Sequence, residues 1–255
     1  MRHLVLDTET TGLDPSTGHR IVSLALIELL NNIPTGVFLH FYCNPERESD
    51  PRAFAAHGLD TAFLSTQSKF KDLASSILDF IAGSPLIAHN APFDMGFLNA
   101  ELRRAGYSSL AVRTVCTLSK ARATFGWGKN RLDDLVVRWS IPNLRAATGL
   151  HGALVDALMT VNVYQRLHGF AVTEFTPEFL LKYGIGNGSV KDSASKVLAT
   201  TEQTPAQSQP SSLGTNGGGA TAVVDGDDSV PPAAKDGVAD AVVPAAGVAA
   251  GDSGG

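Results

Sequence analysis

The chain has 255 residues, a formal net charge of −5 and only two cysteines, Cys43 and Cys116. Two scattered thiols with no CxxC pair exclude a disulfide scaffold and a cysteine zinc site. No segment approaches the roughly 18 apolar residues of a membrane span, and the apolar run Leu4–Leu6 is too short for a secretory signal, so the expectation is a soluble, cytoplasmic protein.

In chain order, residues 3–7 (HLVLD) predict a short buried strand, followed by a loop marked by Gly12, Asp14, Pro15 and Gly18. Arg20–Leu30 and Gly36–Cys43 predict two longer strands, with a hairpin signal at Asn31-Asn32 and a loop running on to Pro34. Lys69–Ala82 has helical periodicity, with Phe70, Leu73, Ile77, Leu78 and Ile81 on one face. Pro85–Ala88 predicts a strand, Pro92–Ala105 a helix that begins at a proline and stops at Gly106, and Val112–Thr114 another strand. Helices follow at about Thr117–Ala123, Leu132–Trp139 and Gly152–Leu167. The pattern predicts an α/β fold with a mixed central sheet of about five strands flanked by helices.

Composition divides the chain into a folded body at 1–170, a short segment at 171–192 and a tail at 193–255. The tail has no Phe, Trp or Tyr and is built from Ala, Gly, Ser, Thr, Pro, Val and Asp, the signature of a disordered linker. It holds seven acids and two bases, which leaves the rest balanced at 18 basic and 18 acidic residues. A neutral body does not fit a tight, non-specific nucleic-acid binder; it permits a transient enzyme whose cations meet the phosphate. Between them, Phe175, Phe179, Leu180, Leu181 and Tyr183 predict either a short helix that packs back or an exposed docking patch.

Four acids and one histidine stand in short motifs: Asp7 and Glu9 in LDTETTG, Asp94 in HNAPFD, His151 and Asp156 in LHGALVDA. On a strand, residues two apart share a face, so Asp7 and Glu9 can reach one metal-sized space. Thr10, Thr11 and Gly12 follow with hydroxyls and N–H groups for a phosphate. Asp94 falls in the first turn of a helix, where an acid also serves the helix dipole, and Asn90 also reads as its N-cap. His151 and Asp156 are five apart, about 140° on a helix, so His151 belongs to the segment or first turn before a helix that carries Asp156. Four carboxylates suit two Mg²⁺ or Mn²⁺ ions, which stabilise the attacking and leaving oxygens of an in-line phosphoryl displacement. His151 then takes the proton of the attacking water, and a 5′-mononucleotide leaves.

These three motifs, in this order, resemble those of the DEDDh 3′–5′ exonuclease superfamily, and most closely its proofreading epsilon-subunit branch from bacterial replicases. DPRAFAAHGL at 50–59, ARATFGWGKNRLDDL at 121–135 and LHGALVDALMTVNVY at 150–164 extend the resemblance over about residues 3–167. It implies an RNase H-like fold, metal binding at Asp7, Glu9, Asp94 and Asp156, and a general base at His151. It also implies substrate contacts at Thr8, Thr10 and His57, a supporting role for Asn90, a DNA 3′ end as substrate and a DNA polymerase catalytic subunit as partner. Arg52 stands where the family pattern commonly has an acid, and no clear sliding-clamp peptide is present; Gln165–Phe170 (QRLHGF) matches one only loosely. Two alternatives use the same residues: a standalone exonuclease acting on RNA or on DNA overhangs, and a non-catalytic polymerase-binding scaffold. The scaffold reading expects a lost metal ligand, and none is missing.

Overall fold

The computed structural model describes residues 1–146 and 149–185, all within the unit Met1–Gln203. The tail expected from residue 193 lies outside the described residues. The strands are β1 (Arg2–Thr10), β2 (Ile21–Leu30), β3 (Ile33–Tyr42), β4 (Leu86–Ala88) and β5 (Thr114–Cys116). The helices are α1 (Pro51–His57), α2 (Thr61–Ser65), α3 (Phe70–Ile81), α4 (Ala91–Arg104), α5 (Thr117–Phe125), α6 (Leu132–Arg138), α7 (Ala153–His168) and α8 (Pro177–Leu181). One five-stranded sheet runs β3-β2-β1-β4-β5, antiparallel among the first three and parallel from β1 through β4 to β5. This is the expected mixed sheet.

The strand expected at residues 3–7 extends to Thr10, because β2 pairs along its whole length, from Arg2↔Leu30 to Thr10↔Ile21. The apolar signal stops at Leu6, but backbone pairing carries the strand through Asp-Thr-Glu-Thr. The β2–β3 turn is tighter than expected. Asn31 (φ 51°) and Asn32 (φ 67°) form it alone, both in the left-handed region that asparagine tolerates. Pro34 lies inside β3, an edge strand, where its missing N–H costs little. The last strand sits two residues later than expected. Helices α1 and α2, with seven and five residues, are too short for a periodic signal.

Strand alternation divides the core. Leu4 and Leu6 of β1, with Leu24, Leu26, Leu39 and Phe41, pack under α3 and α4 through Phe70, Ile77, Ile81, Phe97, Leu98 and Leu102. Val5, on the opposite face with Ala25, Ile27, Leu29 and Phe38, meets Leu154, Ala157, Leu158 and Val161 of α7. The far side of α7 is covered by α5 and α6 through Met159 and Val163, so this helix is buried around its circumference. Its C-terminal end is latched to the hairpin. Tyr164 donates to Asn32 Oδ1 at 3.0 Å, and Gln165 donates to the Asn32 carbonyl at 2.8 Å and to Thr173 Oγ1 at 2.9 Å. Gln165 and Leu167 are therefore parts of this helix, with the Gln165 amide spent inside the fold.

Phe175, Phe179 and Leu180 pack on the same sheet face as α7, and Tyr183 is buried with its ring 5.1 Å from that of Phe38. Leu181 remains exposed. On the other face a buried ion pair pins α4 to β2. Glu101 takes Arg20 Nε at 2.6 Å and Nη2 at 3.0 Å, and also accepts the Ile21 N–H. Among the described residues no helix is long and apolar enough to cross a membrane.

Candidate active site

The C-terminal half of β1 opens into a cleft of about 840 Å³ where the first turns of α4 and α7 converge. Asp7 and Glu9 share the Val5 face of β1 and therefore face α7. Thr8 points the other way and donates to Asp94 Oδ1 of α4 at 2.8 Å. Immediately after Glu9 the β1–β2 register shifts by one residue, a bulge that bends the strand at the cleft. Asp156 lies in the first turn of α7, nearly buried. His151 precedes that helix; its backbone N–H donates to the Ala56 carbonyl of α1 at 2.9 Å, and its Nδ1 lies 3.3 Å from Asp156 Oδ2.

The strand, two helix starts and one loop thus bring all four predicted carboxylates and the predicted base to one cleft. The crowding marks their acidities. Burial pushes Asp7 well above the usual carboxyl range, and the charges of Asp156, Asp94 and Glu9 push it further. Burial, followed by the Asp156 charge, raises Glu9 to about 8. Burial raises Asp94 to about 7 against the hydrogen bond from Thr8. The Asp156 hydrogen bond raises His151 above its ordinary value, outweighing the burial that lowers it.

Arg145, from the turn between α6 and α7, supplies positive charge. Its Nε and Nη2 take both oxygens of Asp156 at 2.6 Å each, while its Nη1 reaches Asp133 Oδ1 at 2.6 Å and His151 Nε2 at 3.3 Å. Donation from Arg145 to Nε2 assigns the ring proton of neutral His151 to Nδ1, facing Asp156. The donor set fits divalent cations. Glu9, His151 and Asp156 each place a ligand atom within 4.8 Å of the others, and the remaining carboxylates are hard oxygen donors of the kind Mg²⁺ and Mn²⁺ select.

Other predicted residues fall in different places. Thr8 and Thr10 line the cleft, but their hydroxyls are engaged within the protein, on Asp94 and on the Gly12 carbonyl at 2.6 Å. They position the site. His57 lines the cleft, and its Nδ1 accepts the Leu59 N–H at 3.0 Å. The proton then sits on Nε2, which is buried and has no hydrogen-bond partner among the described residues. Burial lowers this histidine to about 4, with a smaller contribution from His151, so it is neutral. Asn90 is not brought to the cleft. It occupies the N-cap position of α4, but with a left-handed backbone (φ 71°), an exposed side chain and no capping hydrogen bond. Gly12 leaves room for the His19 ring, since a Cβ there would lie 2.2 Å from it and the ring would have to shift.

Sequence reasoning missed Arg145, although a signal was present: it is the single cation between Asn143 and Asp156. Arg52 also lines the cleft.

Residues 4–164 match the family model described as Exonuclease (RNase_T). DNA polymerase III subunit epsilon of Rickettsia prowazekii is 45% identical over 173 residues, covering 66% of this chain and 75% of that one. The same subunit of Escherichia coli is 37% identical over 176 residues, covering 66% and 72%. Among solved structures, E. coli exonuclease I in complex with a 5cy-dT13 oligonucleotide superposes with a TM-score of 0.58 at 18% identity, over 70% of this chain and 42% of that chain. A product-bound exonuclease I gives 0.56 at 20% identity, over 65% and 42%. The chain spans only about two fifths of those solved chains, and the likeness establishes the fold, an α/β RNase H-like one. With a family model spanning more than half its length and relatives at this identity, the chain belongs to the exonuclease family, in its DNA polymerase III epsilon group, and is a nuclease.

Proposed function

We propose that the protein trims DNA from the 3′ end, releasing 5′-mononucleotides with the help of two divalent cations, as the proofreading subunit of a bacterial replicase. The observation that carries this reading is the convergence of Asp7, Glu9, Asp94 and Asp156 beside His151 in one cleft, with Asp7, Glu9 and Asp94 raised in pKa. These four carboxylates would hold the cations, Mg²⁺ or Mn²⁺. When bound, the cations supply the positive charge that stabilises the attacking and leaving oxygens of the displacement.

The protein's own groups do the rest. His151, its Nδ1–H directed to Asp156, presents Nε2 as the base that removes a proton from the attacking water. His57 lines the cleft with an Nε2–H that is buried at rest and takes no protein partner, and a turn of its ring would bring that donor to an oxygen of the terminal nucleotide. Leu13, Phe93 and Leu132 give the cleft apolar walls for a base and sugar. Names carried by relatives at 37–45% identity support a DNA polymerase catalytic subunit as partner and the cytoplasm as location.

The test is degradation of a 5′-labelled single-stranded DNA oligonucleotide with Mg²⁺ or with EDTA, beside Asp7→Ala and a matched RNA. The expected result is a Mg²⁺-dependent ladder shortening from the 3′ end, absent in the variant and weaker on RNA. Faster cleavage of RNA selects the RNA alternative; inactivity on both selects the scaffold.

A further inference from the structure

We propose that Arg145 is an exchangeable counter-ion of the cation site, holding Asp156 and the lone pair of His151 at rest and withdrawing onto Asp133 when a cation enters. The inference rests on the cation-dependent reading above. One guanidinium covers the two groups that the reaction needs open, both oxygens of Asp156 at 2.6 Å and His151 Nε2 at 3.3 Å. A guanidinium does not lose its proton at any working pH, so it cannot become neutral to share the carboxylate with a dication. The two positive charges repel within a few Å, and one must leave.

Arg145 has somewhere to go. Its Nη1 already contacts Asp133 Oδ1 at 2.6 Å, and Asp133, in the first turn of α6, has 60% of its side chain exposed. Withdrawal keeps this ion pair while releasing the fork from Asp156. The residue is carried by a turn, not by a helix or strand. The Asn143 side chain accepts the Arg145 N–H at 3.0 Å, and Leu144 anchors the turn in the core. A long side chain on an anchored turn can change partners without moving the sheet or α7. The resting pair also helps four carboxylates share one cleft, since Arg145 neutralises Asp156, the single acid of α7.

The two ends of the exchange predict opposite effects. Full-length wild type, Arg145→Met and Asp133→Asn are titrated with Mn²⁺ by calorimetry, and their melting is followed in EDTA. Arg145→Met removes the competitor and should tighten Mn²⁺ binding roughly ten-fold while lowering the cation-free Tm. Asp133→Asn removes the second berth and should weaken binding roughly three-fold. Equal or weaker binding by Arg145→Met, or equal or tighter binding by Asp133→Asn, overturns the exchange. Should Arg145→Met fail to fold, the surface change Asp133→Asn decides alone. Wild type that binds no Mn²⁺ defeats the nuclease mechanism itself; wild type that binds while both variants match it defeats only the exchange.

Discussion

Replacing Asp94 by Asn should make the cation-free protein more stable at alkaline pH while removing its activity. Asp94 is 3% exposed, and its carboxyl value in the fold is about 7 against 3.8 ordinarily. As pH rises between about 4 and 7, the unfolded chain releases this proton before the folded one does. Stability is therefore lost across that window, and the loss is complete above about 7. At about 1.4 kcal/mol per pH unit, the gap of roughly three units sets a ceiling of about 4 kcal/mol. Relaxation of a crowded, partly neutralised cluster reduces this, and about 2 kcal/mol is the expected gain. Asn keeps one oxygen for the Thr8 hydroxyl, and the backbone N–H groups of Thr8 and Asp94 that also face the carboxyl must share it, which is part of why the expected gain lies well below the ceiling. For a domain of this size, 2 kcal/mol corresponds to roughly 4–8 °C in Tm. The assay is thermal unfolding of both proteins in EDTA at pH 5 and pH 8.5, repeated with Mg²⁺. At pH 5, inside the window, only about a third of the offset should be present; at pH 8.5 Asp94→Asn should melt higher by the full amount; with Mg²⁺ the wild type should gain more. A variant that melts lower at pH 8.5 in EDTA, or an offset that is the same at both pH values, would refute the reasoning.

Other expectations follow from the same geometry. In EDTA, His151 should titrate above the ordinary histidine value in NMR spectra because Asp156 holds its proton, and saturating Mg²⁺ should move it down as the carboxylate is neutralised. An unchanged midpoint would separate the histidine from the cation site. Glu101→Ala leaves the partly exposed Arg20 only the Pro45 carbonyl and the more distant Glu46, and should cost about 2–3 kcal/mol in urea unfolding; a loss under about 1 kcal/mol would mean that the pin carries little. Removing residues 193–255 should leave turnover within about two-fold, since every site residue lies before Ala157 and the family match ends at 164; a large fall in kcat would give the tail a direct role.

The five chemical residues were legible because each sits in a motif whose spacing has geometric meaning. Asp7 and Glu9 obey the strand period, and the five-residue interval from His151 to Asp156 cannot share a helix face, which places the histidine before α7. The hairpin was legible from two asparagines. What was not legible depends on tertiary structure. The polar end of β1 is a strand only because β2 pairs with it. The length of α1 hides the helix whose carbonyl at Ala56 anchors His151. The opposite pleat delivers the Thr8 hydroxyl to Asp94, a contact that no spacing in the sequence announces. Arg145 has no motif, because its meaning comes from what it touches across the cleft.

Core and chemistry also share one reading frame in β1. Leu4, Leu6 and Thr8 address one layer of helices; Val5, Asp7 and Glu9 address the other. Losing or gaining one residue before Asp7 would turn both carboxylates toward α4 and set leucines against Asp156. Substitution of one apolar side chain by another leaves the frame intact. The strand therefore tolerates a change of apolar letter where it does not tolerate a change of length, and the site stays fixed because the core beneath it does.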